Sequence, residues 1–289
     1  MAQPRNSHAM KIEIFSDAAE VALAAARYFA SVSRDAVAAR GKFVVALSGG
    51  NTPWLMLNAL AQENVPWTAT HLLQVDERVV PAGSPNRNLT HLRQILLDRT
   101  PLRPEQIHDM PVDYRDLEAA AEQYAQTVAE FAGIPPQIDL VHLGLGADGH
   151  TASLVPGDPV LDKTDTDVAI TNIYQGARRM TLTYPILNRA RRILWLVTGK
   201  EKADALARLQ ARDLSIPAGR VRPDRAVIFA DRDAGDRGDD ERRSDGSTVH
   251  RYNPDAFHRR DPEGEIRTSG NADGFSAACI HHLEPNPAL

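Results

Sequence analysis

Ile138-Asp139-Leu140-Val141-His142-Leu143-Gly144-Leu145-Gly146-Ala147-Asp148-Gly149-His150-Thr151-Ala152-Ser153-Leu154-Val155-Pro156-Gly157 is the stretch that decides the fold. Its first part, Ile138 to Leu143, reads as a buried strand. Its second part gathers glycines, an aspartate, a histidine and two hydroxyls in a tight turn at that strand's end. Gly144, Gly146 and Gly149 spell G-x-G-x-x-G, the spacing of a dinucleotide-binding loop. Such a loop opens a long apolar helix against the sheet. Here Pro156 and Gly157 stop any helix within two turns, which argues against a nucleotide. A lone histidine is more often a structural residue than a catalyst. His150 stands apart because Asp148 and two hydroxyl residues crowd it at a strand end, where open α/β sheets place their sites.

Outward from this turn, strand-like and helix-like segments alternate, the mark of a layered α/β fold with a mostly parallel sheet. Lys11 to Phe15 reads as a first strand, and Asp17 caps an Ala-rich helix reaching Arg40. Phe43 to Leu47 is continuously apolar, as a buried parallel strand should be. The turn Ser48 to Thr52 leads into a helix with Pro53 at its first position. Leu72 to Val75 is a further strand, and Leu89 to Asp98 and Asp116 to Ala132 are helical. Asp167 to Ile173, Met180 to Thr183, Ile193 to Thr198 and Ala226 to Ala230 complete the strands, with a helix over Glu201 to Gln210. The fold class is therefore α/β, a Rossmann-like open, mostly parallel sheet with helices on both faces.

Composition agrees with a globular body: 43% of the 289 residues are hydrophobic and 25% charged. The single cysteine, Cys279, excludes an internal disulfide framework and fits a reducing, cytoplasmic setting. Met1 to Met10 is polar, lacks the apolar stretch of a secretory signal, and is expected to be flexible. The apolar run Val21 to Ala30 is too short to span a bilayer, so no membrane is expected as a partner. No Cys/His grouping has zinc spacing, and neither metal nor cofactor is expected. The segment 231–289 holds nine Asp, four Glu, eight Arg and no Lys, a net charge of −5 equal to that of the whole chain. The body is then neutral, with no basic stripe for nucleic acid. From residue 232 onward the tail is poor in large apolar residues and is expected to be disordered or loosely attached. The chain thus divides into a short N-terminus (1–10), one α/β domain (11–231) and a polar tail (232–289).

Four separated segments hold the chemistry. Ser48-Gly49-Gly50-Asn51-Thr52-Pro53 offers backbone amides and a helix start to an anion, although an ordinary turn would look the same. Val75-Asp76-Glu77-Arg78-Val79-Val80-Pro81, with Pro85 and Asn88 beyond, concentrates charge at a strand end. The turn with Asp148 and His150 is the third. The fourth pairs Arg179-Met180-Thr181-Leu182-Thr183 with Thr198-Gly199-Lys200-Glu201-Lys202-Ala203, whose cations suit a phosphate. Taken singly, the second and fourth would pass for solvated charge.

In this order and spacing, over roughly residues 11 to 231, the four segments resemble the 6-phosphogluconolactonase family. The carrying patterns are S-G-G-x-T-P, V-D-E-R-x-V-P, G-x-G-x-D-G-H-T-A-S-L-x-P-G, R-x-T-L-T and T-G-x-x-K-A. The resemblance implies a Rossmann-like fold shared with glucosamine-6-phosphate isomerases. It also implies hydrolysis of 6-phospho-D-glucono-1,5-lactone in the oxidative pentose phosphate pathway, with a phosphorylated sugar lactone as small-molecule partner and weak contact with the preceding dehydrogenase conceivable. The isomerase family shares the glycine loop and the Asp-Gly-His turn. Its turn then carries a glutamate of the ring-opening machinery where this chain has Val155, which cannot relay a proton. A third reading, a non-catalytic sugar-phosphate sensor, would call for a helix-turn-helix or a basic face.

For a lactonase, His150 is the expected general base and Asp148 the group that orients its imidazole or stabilises the imidazolium. Arg78, or else backbone amides of the turn, would face the developing oxyanion, with Asp76 positioning sugar hydroxyls or Arg78. Ser48, Gly49, Gly50, Asn51 and Thr52 would cradle the phosphate, closed by Arg179 and Lys202. Lys202 is preferred to Lys200 because the resemblance places its lysine just before the alanine. Departures from the family pattern are Asn51 for serine, Gly83-Ser84 for an acidic pair, Arg87 before Asn88, Gly219, and the tail.

Overall fold

The computed structural model describes residues 10–236. The chain enters through β1 (Lys11–Phe15) and α1 (Ala18–Arg40). Asp17 starts α1 by accepting the Ala19 and Glu20 amides on Oδ1, both at 2.9 Å, and Gly41 ends it in the left-handed region. Then follow β2 (Phe43–Leu47), α2 (Asn51–Leu60), β3 (Thr70–Gln74), β4 (Asp76–Arg78), α3 (Asn88–Ile95), β5 (Ile107–His108) and α4 (Leu117–Ala132). The second half adds β6 (Leu140–Gly144), β7 (Val168–Ile170), β8 (Arg179–Leu182) and α5 (Tyr184–Arg189). It closes with β9 (Ile193–Val197), α6 (Ala203–Gln210), β10 (Ala226–Asp231) and α7 (Arg232–Gly235).

Seven strands form one parallel sheet in the order β1-β10-β9-β6-β2-β3-β5. Successive side chains alternate between its faces. Phe43 and Phe229 face α1, meeting Phe29 and Tyr28 edge-on at 5.3 and 5.6 Å between ring centroids. Their strand neighbours Val44, Ala46, Ile228 and Ala230 fill a second core with Tyr124 and Val128 of α4 and Leu206 and Leu209 of α6. Helices therefore cover both faces, and the mostly parallel α/β sheet is as the apolar strand runs imply. From β2 the chain builds outward through β3 to β5, then returns to place β6 on the other side of β2. That reversal opens a crevice beyond the C-terminal ends of β2 and β6.

A second sheet, β4-β8-β7, is antiparallel. Its first strand leaves the main sheet after a single residue, Val75, whose carbonyl accepts the Leu182 amide at 2.8 Å. The charged run Asp76 to Arg78, which taken singly passes for solvated charge, is thus a strand paired with β8. Its register sets Asp76 opposite Thr181 and Arg78 opposite Arg179.

Several boundaries differ from the sequence reading. Asn51 and Thr52 already belong to α2, with Gly50 as its cap, so Pro53 is the third helical residue and not the first. Proline is tolerated there because the first-turn amides have no intrahelical acceptor. The helix expected over Leu89 to Asp98 ends at Ile95 and gives way to a 3-10 turn over Leu97–Arg99. Glu201 sits in a 3-10 turn, Lys200–Lys202, that precedes α6. The strand expected over Asp167 to Ile173 shortens to Val168–Ile170, since the following residues form a hairpin tip. The first residues of the expected tail form α7, because Asp231 Oδ1 accepts the Ala234 amide at 2.8 Å and Ala234 is buried. Residues 237–289, on which the rest of the tail expectation falls, and residues 1–9 lie outside the described residues.

Candidate active site

The crevice is lined by the segments that follow β2, β3, β6 and β9. After β6 the chain makes no helix. Gly146 donates to the His150 carbonyl at 2.8 Å, Gly149 donates to the Gly146 carbonyl at 2.9 Å, and Thr151 and Leu154 bond each other reciprocally. This knot folds Asp148 and His150 back over Gly146, where any Cβ would collide with His150 Nδ1 and Asp148 Oδ1. Glycine is required there by the pair it underlies.

Asp148 Oδ1 lies 2.5 Å from His150 Nδ1 and accepts the His150 amide at 3.1 Å. A carboxylate is acceptor-only, so Nδ1 carries the proton and Nε2 is left with the lone pair. Burial alone would raise the Asp148 carboxyl. The bonds from His150 and from the Tyr174 hydroxyl outweigh it and hold the group below the usual carboxylate range. The His150 side chain keeps 25% of its surface exposed, which leaves the imidazole reachable.

Asp76 is buried, and its Oδ2 accepts the Ser153 hydroxyl at 2.6 Å. This bond ties the turn after β6 to β4. Glu77, fully buried, accepts the Asn88 and Leu89 amides at 2.8 Å each and starts α3. Asn88 Nδ2 donates to the Asp76 carbonyl at 3.0 Å, and its Oδ1 presses so close to Gly49 that no Cβ fits there. The glycine loop is therefore pinned to β4 through Asn88. Ser48 is buried, with its amide 3.4 Å from Nδ1 of the buried His142. Thr52 does not cap α2; its hydroxyl lies 2.5 Å from that of Thr198 and joins the glycine loop to the segment after β9. Gly50 and Asn51 open α2 beside it, and Lys202 ends the 3-10 turn that follows Thr198.

Arg78 and Arg179 face each other across β4 and β8. Arg78 donates from Nη1 to the Asn86 carbonyl at 2.9 Å, and Arg179 from Nη2 to Gln175 at 3.2 Å. The Nε of each is buried without a hydrogen-bond partner. Burial lowers the basicity of Arg179 most; Asp76 opposes this, and the Arg78 charge adds to it. Two arginines in register on one face of a small sheet, each with an unpartnered donor, concentrate positive charge that suits an anion. Among the described residues, no group of three or more His, Cys, Asp or Glu could hold a metal ion.

The structure thus joins Asp148 to His150 directly and to Arg179 through Tyr174, ties Asp76 to the same turn through Ser153, and sets Arg78 in register opposite Arg179. The sequence reading missed four contributors: Ser153, Tyr174, Gln175 and Asn88. Ser153 and Asn88 lay within the quoted patterns, but nothing local marked their partners. Tyr174 and Gln175 belong to a hairpin tip with no pattern at all.

An open α/β sheet with an Asp–His pair and two arginines in register at its topological switch point is the arrangement of an enzyme fold suited to a small anionic substrate. The chain belongs to the glucosamine-6-phosphate isomerases/6-phosphogluconolactonase family, whose model matches residues 16–230. It is 39% identical over 209 residues to a 6-phosphogluconolactonase of Synechocystis sp., covering 70% of this chain and 87% of that one. It is 38% identical over 237 residues to the 6-phosphogluconolactonase of Mycobacterium tuberculosis, covering 77% and 96%. The 6-phosphogluconolactonase structure from Thermotoga maritima superposes with a TM-score of 0.69 at 28% identity over 77% of this chain and 99% of that one. A monomeric glucosamine-6-phosphate deaminase has the same fold, with a TM-score of 0.69 at 21% identity over 78% and 98%. No described helix is long and apolar enough to cross a membrane.

Proposed function

We propose that this chain hydrolyses 6-phospho-D-glucono-1,5-lactone to 6-phospho-D-gluconate, the lactonase step of the oxidative pentose phosphate pathway. The observation that carries the reading is the 2.5 Å contact between Asp148 and His150, which presents Nε2 as a base beside apposed arginines. In this reading Nε2 takes a proton from a water whose oxygen adds to the lactone carbonyl. Arg78, whose guanidinium end is exposed beside Asn86, supplies the positive charge for the oxyanion that forms. The ring C–O bond then breaks, and the imidazolium returns its proton to the departing ring oxygen. The products are a carboxylic acid, which ionises, and a sugar hydroxyl. Asp148 holds the tautomer and stabilises the imidazolium. Asp76 acts through Ser153, fixing the turn. Ser48, Gly49, Gly50, Asn51 and Thr52 hold the phosphate with Arg179 and Lys202, where amides at the start of α2 add to the cations.

Val155, at the place where the isomerase turn carries a glutamate, is buried and has no proton to give. This favours the lactonase over ring-opening chemistry. We place the reaction in the cytoplasm and propose weak contact with the preceding dehydrogenase, on the ground of pathway adjacency. The test is a pair of assays on the purified chain. One measures hydrolysis of 6-phosphogluconolactone above its spontaneous rate, the other release of fructose 6-phosphate from glucosamine 6-phosphate. Activity in the first alone is expected; activity in the second alone would overturn the proposal.

A further inference from the structure

Between β7 and β8 the chain turns back on itself, and the tip of this hairpin reaches the site. Tyr174 and Ala177 exchange backbone hydrogen bonds at 3.0 and 3.4 Å. The two residues between them, Gln175 at φ 49° and Gly176 at φ 86°, both have positive φ, the type I′ pattern. Glutamine is disfavoured in the left-handed region, where asparagine or glycine usually stands. The side chains so placed form an unbroken relay. Arg179 Nη2 donates to Gln175 Oε1 at 3.2 Å, and Gln175 Nε2 donates to the Tyr174 hydroxyl at 3.3 Å. The Tyr174 hydroxyl donates to Asp148 Oδ2 at 3.3 Å, and Asp148 Oδ1 holds His150 Nδ1 at 2.5 Å. The Tyr174 ring adds two contacts of its own. Its face lies 5.0 Å from the Arg179 guanidinium carbon, and it meets the His150 ring edge-on at 5.6 Å.

We propose that Tyr174, with Gln175, is a positioning residue that couples the anion-holding Arg179 to the Asp148–His150 pair. The proposal rests on His150 as the base. One tip then sets both the place of the Arg179 fork and the lone pair that Asp148 offers His150. The groups facing His150 are Asp148 from its own turn and Tyr174 from the hairpin. Behind Tyr174 stands Arg179, which feels Asp76, Arg78 and Glu77 of β4. By donating to Asp148, the Tyr174 hydroxyl weakens the pull of that carboxylate on the imidazolium. Removing the hydroxyl leaves the full carboxylate charge of Asp148 to the imidazolium.

Tyr174→Phe keeps the ring and removes the donor. The His150 ring C–H resonance is followed by NMR against pH in the full chain, assigned by its disappearance in His150→Gln. Its midpoint in Tyr174→Phe is expected to lie above that of the wild type. On the lactone, kcat should fall roughly three- to tenfold near that midpoint, with KM unchanged. Tyr174→Ala also removes the ring under Arg179 and should raise KM severalfold. An unmoved His150 midpoint in Tyr174→Phe, with kcat as in wild type, overturns the coupling. A moved midpoint in a chain that fails to hydrolyse the lactone keeps the coupling and refutes the assigned reaction. Should Tyr174→Ala not fold, Tyr174→Phe decides alone.

Discussion

Both ends of the main sheet are rich in arginine and aspartate, and they use them in opposite ways. At the N-terminal ends of the strands both carboxylate oxygens of Asp139 are engaged. Oδ1 meets Arg40 at 2.8 Å and Arg191 at 3.3 Å, while Oδ2 accepts the Val44 amide at 2.9 Å. Arg189 meets Asp167 at 2.5 Å and donates from Nε to the Pro136 carbonyl at 3.0 Å. At the C-terminal ends the charges are left partly unmatched. Arg78 and Arg179 stand together with buried, idle Nε groups, and Asp148 holds an imidazole in place of a fixed cation. Matched charge at one end closes the body; unmatched charge at the other is where the proposed function places the ligand. A buried polar group without a partner costs stability, so its persistence at the switch point of the sheet argues for use.

Substitutions at the two ends should therefore fail differently. Asp148→Asn can offer its amide to His150 Nδ1 and turn the imidazole to the wrong tautomer. The expected result is a loss in kcat of roughly 10²–10⁴, with little change in melting temperature. Steady-state rates beside a thermal melt check it. Asp139→Asn at the other end should do the reverse. It strands Arg40 and Arg191 beside a neutral amide, costs roughly 2–3 kcal/mol in denaturant unfolding, and leaves kcat as it was. If Asp139→Asn slows turnover while stability holds, the division between the two ends is wrong.

Acid should attack the glycine loop from beneath. Burial pushes His142 down to about 3, and burial with the neighbouring His71 pushes His108 down to about 4. Their folded values lie below the unfolded one of about 6.5, so the unfolded chain binds more protons between these limits. Stability is full above pH 6.5 and falls as pH drops below it. His142 alone contributes on the order of 2 kcal/mol of loss by pH 5, and the more exposed His108 less. A melting temperature that stays level from pH 7 to pH 5 would contradict this. The smallest effect is expected at Lys202: Lys202→Met removes one cation from the phosphate and should raise KM about tenfold with kcat nearly unchanged. An unchanged KM would remove Lys202 from the site.

Much of the fold was legible because β1, β2, β6, β9 and β10 are short apolar runs, and buried parallel strands must be so. The second sheet was not, because β4 is three charged residues whose strand character comes only from pairing with β8. Within the site, Asp148 and His150 could be read as partners from their shared turn, but two residues apart in so tight a turn their direct bond is what the structure adds. Links across the chain could not. Thr52 and Thr198 are 146 residues apart, and Ser153 reaches Asp76 over 77. The Tyr174 relay depends on a left-handed glutamine that no helical or strand periodicity announces.

The central claim is that proton transfer belongs to His150 at the open end of the sheet. It is tested most directly by acid release from 6-phosphogluconolactone near pH 7, measured with wild-type chain, with His150→Ala and without protein. The wild type should run far above the spontaneous rate, and a folded His150→Ala should lose roughly 10²–10⁴ of that turnover. A folded His150→Ala that turns over at nearly the wild-type rate would contradict the account.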